Sequence, residues 1–540
     1  MPVFSSRLDT SSEAYAKNRA DQLALIAQLR ALEARAAAAS ERRRPRFEER
    51  GQLTPRERLA RLLDPGMPFL ELYNMAGWCV DDPDPETSIP GASALCGIGY
   101  VSGVRCMVAV DDSGIRAGAA TAKSFVKGIE CLHVALKTKL PFIHLVESAG
   151  ANLVQYAVEG WAHGGGYFYM LARLSAAGLP VITVLHGPST AGGAYMPGMS
   201  DYVIGVKKNG MAALAGAALT QAATGEVPDE RELGGSEMHA RVSGLVEYLA
   251  EDDADGIAQC REVVARLGWN AHCPPPPRRS YAEPRYAADE ILGLVPLDYR
   301  IPYDCREVVA RLVDGSNFVT FKPAYGASMV CMQAEIYGYE VGIAANNGPI
   351  DPNGATKAAQ FFQLCDQAGR PIIFLNNITG YMVGTAYEQA GMIKHGSKMI
   401  QAVSNVRVPK LTLYIGASFG AGNYGMAGLA FAPDFLFTWP GARTGVMGGE
   451  QAAKTMEQVA LAGAKRRGLK PDLAALKTQR QQIEGLFTRQ ESAFYTSGRV
   501  LDQGVIDPRA TRQVLGFALQ TCWEARARRV HPNAFGVARL

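Results

Sequence analysis

The chain has 540 residues, 48% of them apolar and 20% charged, with a formal net charge of +3; it is too long for one ordinary hydrophobic core and predicts two large domains, and its basic excess is too small to imply nucleic acid. Ten scattered cysteines, the nearest pair being Cys96 and Cys106, with no C-x-x-C anywhere, argue against a zinc ribbon or a disulfide framework and for a reducing compartment. No apolar run approaches the roughly 20 residues of a membrane span, and the opening MPVFSSRLDTSSEAYAKNR has no apolar signal region, so the expected location is cytoplasmic, with no membrane partner.

Leu25, Ile26, Leu29 and Leu32 fall at helical spacing and predict an amphipathic helix over 20–40. The basic run that follows, Arg42, Arg43, Arg44 and Arg46, reads as a solvated segment between helices rather than a binding patch. Thr54-Pro55-Arg56-Glu57 forms a capping box with proline at the first helical position, and Pro65-Gly66 stops the helix it begins. Strand-forming segments follow: LPFIHLVESAGANL from Leu140, LPVITVLHGPSTAGGAYMPG from Leu179 and SDYVIGV from Ser200, the last leading to the small-residue stretch AALAG. Glu251-Asp252-Asp253 opens the helix DADGIAQCREVVARL, where carboxylates suit the positive helix end.

The segment AHCPPPPRRSYAEPRY (271–286) then carries four consecutive prolines and reads as a stiff linker. Past it the earlier pattern returns. RPIIFLNNITGYMV from Arg370 resembles the segment at Leu140, and VPKLTLYIGASFGAGNYGMA from Val408 aligns without gaps on the one at Leu179, placing Pro180 on Pro409, Gly187 on Gly416 and Tyr195 on Tyr424. PDFLFTW from Pro433 and GVMGG complete the copy. Each half repeats strand, helix, strand, small-residue turn, helix, strand, and a repeat of this length is one copied domain rather than a solenoid. The expected architecture is α/β and internally duplicated, with domains at 1–272 and 295–540 joined by a linker at 273–294.

Each copy sets small residues where a strand hands over to a helix: Ser189-Thr190-Ala191-Gly192-Gly193-Ala194 and Phe419-Gly420-Ala421-Gly422-Asn423. Backbone N–H groups at a helix start, with no bulky side chain in the way, suit a negatively charged oxygen. Two such turns at equivalent points suggest a reaction with two developing oxyanions. Gly416-Ala417-Ser418-Phe419-Gly420 also fits the G-x-S-x-G nucleophile elbow, with Asp434 and His531 downstream. The aligned turn of the first half has no such motif, so Ser418 reads as incidental and its removal as nearly harmless. His239 and His395 are the remaining candidate general bases, each read as a structural histidine, and no ligand pattern for a metal stands out.

The motifs AGGAYMPGMSDYVI, AATGEV, ELGGSEMHARVSG, NNITGYMVG, GASFGAGNYGMAG and WPGARTGVMGGEQAA resemble those of the β subunits of methylcrotonyl-CoA and geranyl-CoA carboxylases, over most of the chain. The resemblance implies two crotonase-like domains of ββα superhelical fold, the first on the acyl-CoA side and the second on the biotin side. It implies transfer of a carboxyl group from carboxybiotin to an acyl-CoA, with biotin carried on a separate α subunit that also holds the biotin carboxylase, and a homo-oligomer, a β hexamer within an α6β6 complex. Carried over by motif, Gly192 and Gly193 serve the thioester enolate oxygen and Gly420 and Ala421 the biotin ureido oxygen, with Phe419, Gly422 and Asn423 on the biotin side.

The chain departs from the methylcrotonyl pattern near the expected acyl pocket. Where such subunits read V-K-G-G-T-Y-Y-P it has Ile115-Arg116-Ala117-Gly118-Ala119-Ala120-Thr121-Ala122, and where they read S-G-G-A-N-L it has Ser148-Ala149-Gly150-Ala151-Asn152-Leu153. Gly164 stands where they carry an aromatic residue, as in the geranyl type. The expected acyl-side residues are therefore Gly118, Ala119, Ala149, Gly150, Gly164 and Ala194, and the expected substrate a branched or longer, geranyl-like or methylcrotonyl-like chain. The alternatives are a crotonase-type hydratase or hydrolase working without biotin, and a propionyl-CoA-type carboxylase.

Overall fold

The computed structural model describes residues 3–150, 157–277, 279–468 and 470–533. They form two compact units: the first spans Arg30–Pro277 with Gly498–Val500 and Gln520–Leu540, the second Met1–Leu29 with Arg278–Ser497 and Leu501–Leu519. Packing rather than sequence order assigns the ends of the chain. Phe4 stacks on Phe318 with ring centroids 5.3 Å apart, and Ser6 donates to Glu307 at 2.6 Å, whereas Arg528 donates to the Trp269 carbonyl at 2.6 Å and Glu524 pairs with Arg105 at 3.0 Å.

Within the first unit, β1 (Leu70–Leu72), β2 (Ala94–Val101), β3 (Val104–Asp111), β4 (Phe142–Ser148), β5 (Val181–Thr190), β6 (Tyr202–Val206) and β8 (Tyr248–Ala250) lie side by side in that order, and β7 (Met211–Ala213) pairs with the far end of β5. The second unit repeats the plan with β9 (Phe318–Phe321), β10 (Met329–Ile336), β11 (Tyr339–Asn346), β12 (Ile372–Ile378), β13 (Lys410–Phe419) and β14 (Phe435–Thr438), and β15 (Arg443–Gly445) pairs with the far end of β13. In each sheet an antiparallel hairpin leads into strands paired in parallel. The hairpins escape a search for isolated strand patterns, yet each has its turn written in two residues, Ser102-Gly103 (φ 49° and 76°) and Tyr337-Gly338 (φ 50° and 72°), the left-handed pair a tight hairpin requires.

The crossovers are helical for local reasons. Thr121 and Ser124 make a reciprocal capping box that starts Ala122–Thr138, and Asp351 caps Pro352–Gln367, which has proline at its first position. Lys127 and Lys357 sit at equivalent points of these two helices, both buried. Lys127 Nζ donates to the Gly91 and Ala94 carbonyls at 3.1 and 2.7 Å, and Lys357 Nζ to those of Lys322 and Tyr325 at 3.4 and 2.6 Å. Each lysine thus satisfies carbonyls of the loop before the hairpin. In the second unit Phe361 and Phe362 then pack with Met329, Phe374 and Met399 in one core.

A buried charge network braces the first unit. Arg58, on the capped helix Pro55–Leu62, reaches Glu147 at 2.6 Å and Asp253 at 2.8 Å, and the His186 ring Nδ1–H donates to Asp253 at 2.8 Å. Asp253, the first residue of helix Asp253–Arg266, therefore does more than complement a helix end. Burial favours its protonated form, but the His186 ring, the Arg58 guanidinium and the Leu53 N–H hold it down at about 2. Burial, reinforced by Arg58, pushes His186 below its ordinary value and keeps the ring neutral. Both depressed groups contribute stability that is complete above their unfolded values, 6.5 for the histidine and 3.8 for the aspartate, and that fades as pH falls past each. The thermal midpoint should be flat above neutral pH, decline below about 6.5 and drop faster below about 4; Asp253→Asn, which leaves buried Arg58 short of one carboxylate, should lose about 3–5 kcal/mol in chemical denaturation at neutral pH.

Candidate active site

The long strands β5 and β13 are buried over nearly their whole length and end in matching turns. Thr190 (φ −111°, ψ 162°) and Phe419 (φ −111°, ψ 147°) close the strands, and the next residue is left-handed in both, Ala191 at φ 55° and Gly420 at φ 57°. Short helices follow at once, Ala191–Ala194 running into Tyr195–Gly198, and Gly420–Gly425. The amides after each left-handed residue therefore have no intrahelical carbonyl to bond. By this register Gly192 corresponds to Ala421 and Gly193 to Gly422, so the pair Gly420 and Ala421 stands one residue ahead of the pair Gly192 and Gly193.

A second loop lies beside each turn. In the first unit Gly150 approaches Thr190, a Cβ on it falling 3.5 Å from the Thr190 carbonyl oxygen, and the Ala120 N–H donates to Gly150 O at 2.9 Å. In the second unit the Ile350 N–H donates to Gly380 O at 3.0 Å, and Gly422 packs on Gly380, a Cβ on it falling 3.0 Å from Gly380 Cα. The loop holding Gly118 and Ala119 is sewn to the end of β4: Ala149 N–H donates to Ala117 O at 3.1 Å and Ser148 Oγ to Gly118 O at 2.7 Å. Gly118 is obligatory there, with φ 69° and a would-be Cβ only 2.4 Å from Glu147 O.

The structure thus gathers Gly118, Ala119, Ala149, Gly150 and Gly192–Ala194 in the first unit and Gly420–Asn423 in the second. Ala151, Asn152 and Leu153 lie outside the described residues. Gly192 and Ala421 are exposed. Gly164 is buried at the end of helix Val158–Gly164, with the Phe125 ring 3.4 Å from its would-be Cβ. Two biotin-side expectations change character. The Phe419 ring is buried in an edge contact with Tyr299, centroids 5.2 Å apart, and Asn423 Nδ2 points inward to Ser418 Oγ at 2.8 Å and the Tyr414 hydroxyl at 3.0 Å. Their side chains brace the turn from within.

Ser418 is fully buried, and its hydroxyl also accepts from Asn376 Nδ2 at 3.2 Å. Its equivalent Ser189 donates to Gly193 O at 2.9 Å from behind the first turn. Asp434 accepts from the Lys410 N–H at 2.8 Å, so no triad forms around Ser418. The hydroxyl lies beneath the turn, bonded to Asn376 and Asn423, a bracing position that its removal tests. His239 bonds through both ring nitrogens, to Ser243 Oγ at 2.6 Å and Ala212 O at 2.7 Å, and His395 Nδ1 meets Thr356 Oγ1 at 2.8 Å. Among the described residues no cluster of His, Cys, Asp or Glu could hold a metal ion, and no helix is long and apolar enough to cross a membrane.

The arrangement sets an exposed residue directly after a left-handed one at equivalent points of two copies of one scaffold, a geometry whose free backbone amides suit a negatively charged oxygen. The carboxyl transferase domain family matches residues 46–536. A probable biotin-dependent acyl-coenzyme A carboxylase beta2 subunit of Mycobacterium tuberculosis is 46% identical over 519 residues, 96% of either chain. The mitochondrial methylcrotonoyl-CoA carboxylase beta chain of Dictyostelium discoideum is 40% identical across 91% of this chain and 83% of its own. The crystal structure of the geranyl-CoA carboxylase beta subunit of Pseudomonas aeruginosa superposes with a TM-score of 0.93 at 47% identity, covering 100% of both chains. The chain belongs to the carboxyl transferase family, as a β subunit of the biotin-dependent acyl-CoA carboxylases.

Ser418→Ala should strand the Asn423 and Asn376 amides and lower the stability of the folded chain by about 1–3 kcal/mol. Urea denaturation measures the loss, and an unchanged midpoint would remove the bracing role.

Proposed function

We propose that the first turn holds the thioester oxygen of an acyl-CoA as it becomes an enolate, through the Gly192 and Gly193 amides, and that the second holds the ureido oxygen of biotin through Gly420 and Ala421. The duplicated backbone at Ala191 and Gly420 is the observation that carries this reading. The second turn fits a neutral urea: it offers backbone donors, Phe419 and Asn423 turn their side chains inward, and Ala421 is exposed. Biotin, borne by a partner α subunit, supplies the carboxyl group and the nitrogen that takes the substrate's C–H proton. The protein's own part is to hold both oxygens and keep the turns rigid, without a side-chain base. The scaffold accords with two crotonase-like domains, and the working form is a homo-oligomer, a hexamer joined by the α subunit in the cytoplasm.

Gly192→Val and Ala421→Val test the assignment with the α subunit present. A Cβ on Gly192 meets only Phe168, at 3.5 Å, whereas one on Gly193 falls 3.0 Å from Ser189 Oγ and risks the turn itself. Each variant should lose roughly 10²–10³ in transfer rate with an unchanged melting curve. Full activity in either would refute the hole at that turn, and turnover of an enoyl-CoA without any biotinylated partner would favour the hydratase alternative.

For substrate, we infer a longer or branched acyl chain of the geranyl or methylcrotonyl kind. Tyr167 does not refill the space left by Gly164: it is buried against Gly128, with its hydroxyl 3.3 Å from His144 Nδ1. Phe168 packs edge-on to Tyr195, centroids 5.9 Å apart, beside Gly192. A Cβ on Gly164 meets the Phe125 ring at 3.4 Å, and each methylene that an acyl chain buries beside that ring adds about 0.8 kcal/mol. In kcat/KM comparisons of propionyl-, methylcrotonyl-, geranyl- and octanoyl-CoA, Gly164→Phe should lose the longer chains selectively; equal ratios in both proteins would exclude Gly164 from the pocket.

A further inference from the structure

The segment that carries Gly164 is poorly built as a helix. Gly164, Gly165 and Gly166 stand in a row where helix Val158–Gly164 passes into Gly166–Ala176, and neither helix has a side-chain cap at its start. Glycine is the weakest helix former after proline, so a fixed position for the residues that follow has to come from outside the segment. Tyr167 supplies it. This residue is only 5% exposed, and its ring lies on Gly128 of helix Ala122–Thr138, where a Cβ would fall 2.5 Å from a ring carbon.

A directed chain of hydrogen bonds fixes the Tyr167 hydroxyl. It lies 3.3 Å from His144 Nδ1, and His144 Nε2 lies 3.1 Å from Asp111 Oδ1. A carboxylate can only accept, so the ring proton sits on Nε2, Nδ1 is the acceptor and Tyr167 is the donor. Burial, with Asp111 close by, pushes the Tyr167 hydroxyl well above its ordinary value and keeps it a donor. Asp111 is held in turn by the Glu147 N–H at 3.2 Å, near the end of β4. The next residue along the helix, Phe168, is half-buried and reaches the first turn. A Cβ on Gly192 would meet its Cζ at 3.5 Å, and its ring packs edge-on to those of Tyr167 and Tyr195, with centroids 6.2 and 5.9 Å away.

We propose that Phe168 is a specificity-determining residue, the wall on which the acyl chain of the thioester packs, and that Tyr167, His144 and Asp111 are positioning residues that set the distance of that wall from the turn. The inference rests on the acyl-CoA reading of the first turn and deepens it, since it names the ring that a chain meets as it leaves the Gly192 amide. Phe168 stands four residues after Gly164, on the same side of one helical stretch, so a chain that fills the Gly164 side runs along this ring. The group selected is an apolar acyl chain of several carbons; a three-carbon acyl group is too short to gain much from the wall.

The test uses the assembly with the α subunit and reads the ratio of kcat/KM for geranyl-CoA to that for propionyl-CoA. Phe168→Ala should lower this ratio about ten-fold, the contribution of one or two buried methylene groups, and Phe168→Leu by a smaller factor. Tyr167→Phe keeps the ring on Gly128 and removes only the hydrogen bond; it should lower the ratio about three-fold, with the loss in KM for geranyl-CoA rather than in kcat. His144→Leu should match Tyr167→Phe, the double variant should lose no more than either single one, and His144→Gln, which can still accept and donate, should recover most of the ratio. Variants that melt earlier but keep the wild-type ratio would reduce the network to a structural brace and overturn the proposal, as would losses that add in the double variant. A wild type that carboxylates neither thioester would instead sink the acyl-CoA reading itself.

Discussion

Everything at the two turns depends on one backbone state: the residue after each long central strand must be left-handed, so that the chain leaves the sheet and exposes its next amides. Gly420 adopts this state freely, but Ala191 does so against the clash of its own Cβ, at a cost on the order of 1 kcal/mol. Such strain persists only where the surroundings over-determine it. Here β7 and β15 clamp the last three residues of β5 and β13, from Pro188 to Thr190 and from Ala417 to Phe419, and a buried serine reaches the turn from beneath it in each unit. The matching shift of register between β4 and β5 and between β12 and β13 lies directly beside these serines. The irregularity is therefore part of the design of the turn.

The same scaffold is braced by different chemistry in its two copies. Glu147 and Asn377 occupy equivalent places on β4 and β12, each packed over the glycine of the neighbouring strand, Gly187 or Gly416. Glu147 is held by Arg58 and through it by Asp253 and His186, whereas Asn377 Oδ1 accepts the Ala417 N–H at 2.9 Å and needs no counter-ion. The first unit carries buried charge behind its turn; the second is braced behind its turn by neutral amides and hydroxyls.

Much of this was legible in the residues. The ungapped match from Leu179 to Val408 fixes the duplication, and the apolar runs after Pro141 and Pro371 place β4 and β12, because a buried parallel strand must be apolar on both faces. The small-residue turns follow from the same alignment. The hairpins β2–β3 and β10–β11 were equally written, in Ser102-Gly103 and Tyr337-Gly338, but a two-residue signal stands out only once its flanking strands are assigned. Lys127 and Lys357 share the spacing that relates Leu140 to Arg370, so extending the alignment upstream finds them.

What the sequence could not decide is what each polar side chain faces. Ser418 fits a nucleophile motif, yet it is sealed under Asn423 because β13 turns that position inward. Asp253 reads as a helix-end carboxylate until folding brings Arg58, 195 residues away, against it. Local pattern determined the strands, the repeat and the turns, since these depend on backbone geometry and on neighbours in sequence. Tertiary structure alone decided which groups are buried, paired or left open, because desolvation and hydrogen bonding are properties of surroundings that distant segments supply.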